Sequence, residues 1–343
     1  MNHWQARTGS VSRRGFLGTT AGVFAAGATG LLTAGCSGGG DGDSVKIINT
    51  SATGAIAINH LMDELGYFTA FGVNAKVTNV SSGNQVLAGV ASGSADITVL
   101  SGLIGVFPAI DKGMRLKVLG GTQVVSTSAL FSGNPQVKSV RDLRGKTLGV
   151  GAVGAELYDV FEALLAKYGM STKDATFRNV GSSADSLKAA LAKQIDCGYG
   201  QVGNKALAET KGVRMITTVN DELPLWINQG AVASAKAVSG KRKALVKVLA
   251  SYAKLFQYLT TAESKSKYVA AYVAAGGSQD EGDLEWQFIN KTTAYSPTLD
   301  LPTEKLNFIQ QQNVRSGTQK KVLDPKSYTD LSLRPDALAL LKQ

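Results

Sequence analysis

Residues Val45-Lys46-Ile47-Ile48-Asn49-Thr50 make one strand-length apolar run, and Ile58, Leu61, Met62 and Leu65 then recur at helical spacing ahead of Gly66. A β-branched run followed by a 3.6-period stripe is the start of a βα unit, and Gly66 suits the left-handed residue that ends such a helix. The alternation continues with a strand over 73–77, a helix over 84–91, a strand over 96–100, a helix over 103–110 and a strand over 115–119. It starts again after Asn134-Pro135, with strands at 146–150, 176–180, 196–199 and 214–218 and helices at 154–168, 183–193 and 202–210. From about residue 237 the pattern is mostly helical, and Leu245, Val248, Leu249, Tyr252, Leu255 and Leu259 form one apolar stripe. Strands alternating with helices, twice over, predict an α/β chain of two lobes with parallel sheets. The segments near 121–135 and 222–234 are expected to cross between them. Lobe I is then 45–125 plus 230–343, carrying the C-terminal helices, and lobe II is 126–229.

Composition narrows the function. With 44% hydrophobic and 18% charged residues, the 343-residue chain has the material for a buried core and is not a disordered polymer. The formal charge of +10 raises a nucleic-acid reading. The basic clusters Lys241-Arg242-Lys243, Lys265/Lys267 and Lys320-Lys321 carry no interleaved aromatics, however, and fit solvated helix faces or a docking surface better. No nucleic-acid partner is expected, and the chain is expected to be a monomer.

The N-terminus reads as an address. Ser12-Arg13-Arg14-Gly15-Phe16-Leu17 resembles the twin-arginine export motif, and Leu32-Thr33-Ala34-Gly35-Cys36 resembles a lipobox with Cys36 as the lipidated residue. The apolar stretch Ala21 to Leu32 between them is shorter than the roughly 20 residues of a membrane span. Residues 1–35 are therefore expected to be a signal peptide and 36–44 a flexible tether, placing the protein in the periplasm or on the outer face of the cell membrane, held by lipid. Cys197 is then the only other thiol, which leaves no disulfide and no cysteine-based metal site to expect.

Asp63-Glu64-Leu65-Gly66-Tyr67-Phe68 with Phe71-Gly72-Val73 resembles the early part of periplasmic solute-binding proteins of the nitrate/sulfonate/taurine type, a group that includes binders of thiamine-pyrimidine precursors. The likeness recurs at Ala91-Ser92-Gly93-Ser94-Ala95-Asp96, Asp142-Leu143-Arg144-Gly145-Lys146 and Leu191-Ala192-Lys193-Gln194-Ile195-Asp196, so it spans most of residues 45–220. The resemblance implies the two-lobed type II periplasmic-binding-protein fold with two hinge crossings and a helical C-terminal tail. It also implies capture of a small organic, expectedly anionic, solute for an ABC permease. No cofactor, metal or catalytic residue is implied.

In such a fold the ligand lies at the C-terminal ends of the strands. Those ends nominate Ser51, Thr53 and Gly54, then Ser82, then Ser101 and Gly102 in the first lobe. In the second they nominate Ala152, Gly154 and Ala155, then Ser182, then Tyr199, near which the resemblance puts an aromatic residue. Trp226, on the return crossing, is a candidate cleft wall and equally a core residue; Trp286 reads as packing. Each Ser or Thr would serve as well as a helix N-cap. The stretch Gly149-Val150-Gly151-Ala152-Val153-Gly154 matches the G-x-G-x-x-G dinucleotide pattern. The next strand ends Asn179-Val180-Gly181-Ser182, without the acid that would bind a ribose, so the expectation is instead that free N–H groups at Gly154, Ala155 and Glu156 receive an anionic head group. His60 is the only histidine after Cys36, which excludes multi-His metal sites; a related branch of the fold includes a pyrimidine synthase that consumes its own histidine, but His60 reads as a partly exposed helix residue. An exported enzyme of the same fold, or a ligand-sensing receptor component, is the alternative reading.

Overall fold

The computed structural model describes residues 44–343. The twin-arginine motif, the lipobox with Cys36 and all but the last residue of the expected tether lie outside the described residues. In chain order the strands are β1 (Ser44–Thr50), β2 (Asn74–Val80), β3 (Ile97–Gly102), β4 (Leu116–Gly121), β5 (Ser128–Ser132), β6 (Thr147–Val150), β7 (Thr176–Asn179), β8 (Gly198–Gln201), β9 (Arg214–Thr218) and β10 (Gln229–Ser234). The helices that position the site are α1 (Thr53–Leu65), α2 (Gly83–Ser92), α3 (Glu156–Lys167), α4 (Ser183–Leu191), α5 (Arg242–Leu259), α6 (Ser264–Ala274), α7 (Gln279–Thr292) and α8 (Thr303–Arg315).

The first sheet has the order β2-β1-β3-β10-β4, with β1 parallel to β2 and β3 and with β10 antiparallel to both neighbours. In the second, β5 runs antiparallel between β8 and β9, β6 pairs in parallel with β7, and a parallel bridge from Leu148 to Cys197 joins β6 to β8. The second sheet therefore reads β7-β6-β8-β5-β9, the same order as the first. In both, one antiparallel strand lies directly beside a crossing. The sequence hid both of these strands inside the expected crossings 121–135 and 222–234. All five residues of β5 are buried, so it shows no apolar–polar alternation to mark it as a strand. The crossings themselves are shorter, at 122–127 and 219–228.

Gly66 ends α1 as its sequence suggests, with φ +63° and its N–H on Asp63 O at 3.1 Å. The stripe on α5 is fully buried against the first sheet and α6, in a cluster that includes Val45, Ile47, Leu61, Val99, Tyr252 and Tyr268. A second cluster runs from Ile48 of the first sheet, with Leu103 and Phe107 just beyond β3, to Leu130 and Leu148 of the second, with Phe161 of α3, and takes in Trp226 and Ile309. Apolar packing of that extent is what sets the two sheets against one another.

Each sheet has a buried polar side chain at the point where its first and third strands part. Asn49 on β1 is fully buried; its Oδ1 accepts from Val99 N–H at 3.0 Å, Leu100 N–H at 2.9 Å and the Thr98 hydroxyl at 3.3 Å. Between β6 and β8 the same office falls to Ser186 on α4, which donates to Gly149 O at 2.8 Å and accepts from Tyr199 N–H at 2.9 Å. Both close backbone groups that would otherwise be orphaned where the ladder opens.

Candidate functional site

The C-terminal ends of the two sheets face one another, and Gly102 meets α3 there. A Cβ at Gly102 would lie 3.7 Å from Glu156 Oε2 and 3.9 Å from Asn228 O. Gly154, at φ +81°, is a second point of close approach, since a Cβ there would come within 2.8 Å of Thr318 Cγ2, just beyond α8. Gly149 leaves room for Ser186 and Ile195, whose atoms would lie 2.9 and 2.4 Å from an added Cβ. Packing thus accounts for the first and last glycines of the G-x-G-x-x-G stretch.

Of the residues nominated from sequence, Ser51 is exposed and its N–H donates to Val80 O at 2.9 Å, while Thr53 and Gly54 open α1, which has no side-chain cap. Ser82 and Ser182 take matching places in the two lobes, each capping a helix: Ser82 accepts from Gln85 N–H at 3.3 Å, and Ser182 forms a capping box with Asp185. Ser101 is buried, Gly102 lies at the junction, and Ala152 and Ala155 are exposed. Trp226 is 2% exposed and packs edge-on against Phe308, ring centroids 6.5 Å apart, so it is part of the core rather than an open wall. His60 is exposed on α1.

Of the three N–H groups expected to be free at the start of α3, one is engaged within the chain. The Ala155 N–H donates to Ala152 O at 3.0 Å, and neither oxygen of the buried Asp159 carboxyl has a hydrogen-bond partner. The Glu156 side chain occupies the same corner: its Oε1 accepts from the Tyr199 hydroxyl at 3.0 Å, and that hydroxyl lies 2.6 Å from Ser128 Oγ. Burial pushes the Glu156 carboxyl up to about 7, with the Tyr199 hydrogen bond working against the rise. Asp159 is likewise pushed up to about 7, first by burial and then by Glu162.

Sequence reasoning missed the polar chain through the crossings. Asn228 Nδ2 donates to Gln123 Oε1 at 2.5 Å, Gln123 Nε2 to Thr127 Oγ1 at 3.4 Å, and Thr127 Oγ1 to Gln201 Oε1 at 2.8 Å. Beside this chain Glu285 on α7 accepts from Gly203 N–H at 3.0 Å, and burial pushes its carboxyl up to about 7. The signal was present as Gln123, Ser126, Thr127 and Ser128 in one short apolar-flanked stretch, but with β5 unrecognised it read as connection. A cavity of about 290 Å³ lies to one side, between Ala163 and Ala166 of α3, Leu223 to Leu225 of the crossing and Phe308 and Gln312 of α8.

The model of one known protein family, NMT1/THI5 like, matches residues 56–262, well over half of the chain. The chain belongs to the NMT1/THI5-like family. Solved structures agree on its fold, which is that of the periplasmic binding proteins. A putative periplasmic sulfonate-binding protein SsuA from Methylobacillus flagellatus KT superposes with a TM-score of 0.69 at 18% identity, covering 87% of this chain and 94% of that one. The periplasmic nitrate-binding protein NrtA from Synechocystis PCC 6803 gives 0.68 at 13% identity, over 88% and 89%. The desulfurization enzyme DSZB gives 0.62 at 12% identity, over 87% and 99%, so this NMT1/THI5-like fold serves both binding proteins and at least one enzyme. No match to this chain was found among curated proteins. Among the described residues, no helix is long and apolar enough to cross a membrane.

Proposed function

We propose that this protein is the solute-binding component of an ABC importer, taking one small polar organic molecule between its lobes. The observation that carries this reading is the meeting of two equally ordered sheets, C-terminal ends inward, at Gly102 and Glu156. The binding proteins of like fold, for sulfonate and for nitrate, support it. In this reading residues 45–125 with 230–343 and residues 126–229 move as two bodies about the crossings, and closure brings Ser51, Thr53, Ser101 and Gly102 against Ala152, Gly154, Ser182 and Tyr199. Closure would remove water from the head group, which strengthens each hydrogen bond made to it. Export through the twin-arginine signal and a lipid on Cys36 would keep the closed form near its permease in the membrane.

The test is native mass spectrometry of the purified protein, followed by calorimetry with sulfonates, carboxylates and aminated heterocycles. One bound solute per chain is expected. A folded protein that binds no member of these classes contradicts the reading, and turnover of any of them would favour an enzyme of this fold instead.

A further inference from the structure

The cavity of about 290 Å³ lies beside the second crossing, walled by Ala163 and Ala166 of α3, Leu223 and Leu225 of the crossing and Phe308 of α8. Within that wall the crossing is fastened in two directions. Glu222 is held to lobe II, since the Lys167 ammonium donates to its carbonyl at 2.7 Å and to its carboxylate at 2.6 Å, and the Tyr168 hydroxyl donates to the same carboxylate oxygen at 2.7 Å. Pro224 is held to lobe I, since Lys305 on α8 donates to its carbonyl at 2.9 Å and to Val124 O of the other crossing at 2.8 Å. Leu223 alone stands between these two fastenings. Rotation of one lobe on the other is therefore taken up, in this crossing, at Leu223, and it carries the Ala163 and Ala166 wall past the Phe308 wall. The space between those walls then depends on how the lobes are set.

The lining has one charge to spare. Lys167 and Glu222 neutralise each other, whereas Arg315, exposed at the end of α8, forms no ion pair or hydrogen bond with another described residue. The Glu162 carboxyl feels the Arg315 charge without a hydrogen bond to it. Apart from Lys167, Glu222, Arg315 and Gln312 the lining is apolar. An apolar cavity of roughly 150 Å³ binds benzene, so about 290 Å³ has room for two fused rings. We propose that this cavity is an effector site for a small apolar carboxylate, its body between Ala166 and Phe308 and its carboxylate on Arg315, and that the occupant holds the lobes in the setting where Gly102 meets α3. Neither Gly102 nor Glu156 lines it, so the site adds to the solute-binding reading and shares with it only the motion of the lobes. An effector here and a solute between the strand ends would alter each other's affinity by one and the same factor.

Calorimetric titration of the full-length protein with 2-naphthoate tests this, with 2-naphthylmethylammonium as the cation of like shape. Naphthoate should bind about tenfold or more tightly than the cation. Arg315→Gln should weaken naphthoate about tenfold, Arg315→Lys should restore part of that, and Ala166→Leu, which fills the cavity from α3, should abolish binding there. Circular dichroism and melting of each variant show that the fold is intact. In small-angle scattering, saturating naphthoate should lower the radius of gyration of the wild-type protein and leave that of Ala166→Leu unchanged. No naphthoate binding, tighter binding of the cation, or naphthoate binding that ignores both Arg315→Gln and Ala166→Leu overturns the inference and leaves the solute-binding reading standing. Naphthoate bound at this site with an unchanged radius overturns the effector role. Screening solutes on Ala166→Leu as well keeps the two readings separate, because a solute that still binds that variant is not held in this cavity.

Discussion

The two lobes solve one problem with different chemistry. Each sheet parts between its first and third strands, and each gap is closed by a single buried side chain. In lobe I that residue is Asn49, holding two backbone N–H groups and a hydroxyl at once. In lobe II it is Ser186, one donor and one acceptor on a helix rather than on the strand itself. Lobe I also presents hydroxyls and backbone at its strand ends, whereas lobe II presents Glu156 and Tyr199. Burial pushes three carboxyls up to about 7: Glu156 and Asp159 on the lobe II helix at the junction, and Glu285 on α7 of lobe I, which accepts from Gly203 N–H. Of the two carboxyls on that lobe II helix, Glu156 is the one that meets lobe I, at Gly102.

Asn49→Ala should have the largest effect, about 4 kcal/mol of lost stability in urea titrations, because two buried N–H groups are left unpaired. Next is a fall in stability with rising pH. Glu156, Asp159 and Glu285 each have a folded pKa pushed up to about 7, above the ordinary carboxylate range, so the folded state binds more protons than the unfolded chain between about pH 4.5 and pH 7. Their contribution is fully present below the unfolded pKa and is lost as pH rises through 7. Denaturant midpoints should therefore be higher at pH 5 than at pH 8, and Asp159→Asn should flatten the slope; a midpoint that rises toward pH 8 contradicts the assignment. Ser186→Ala should cost roughly half as much as the Asn49 change, about 2 kcal/mol, since it frees one N–H and one carbonyl. If the two substitutions cost the same, the contrast drawn between the lobes fails. Gly154→Ala should cost about 1 kcal/mol through its positive φ and its approach to Thr318, and Thr318→Ala should recover part of that. Least of all, Lys267→Ala removes a half-exposed pair with Glu64 and should change the midpoint by under about 0.5 kcal/mol.

Much of this architecture is legible from residues alone. The βα rhythm, the stop at Gly66 and the α5 stripe follow from periodicity and from glycine's tolerance of positive φ, and both are local properties. What periodicity does not carry is a strand buried on both faces, so β5 and β10 were absorbed into connections. The cost of that omission was functional, because Gln123, Thr127, Ser128 and Asn228 belong to the same stretches. The sequence marks Glu156 only for its N–H at a helix start. That its carboxylate sits against Tyr199 depends on a contact 43 residues away in sequence, which no local pattern records. The serines at strand ends were legible in both of their roles, and for Ser82 and Ser182 the capping role is the one the geometry displays.

Small-angle scattering during titration, with the solute that calorimetry selects, tests the central claim most directly. The account predicts saturation at one solute per chain together with a fall in the radius of gyration. Saturable binding with an unchanged radius would contradict it.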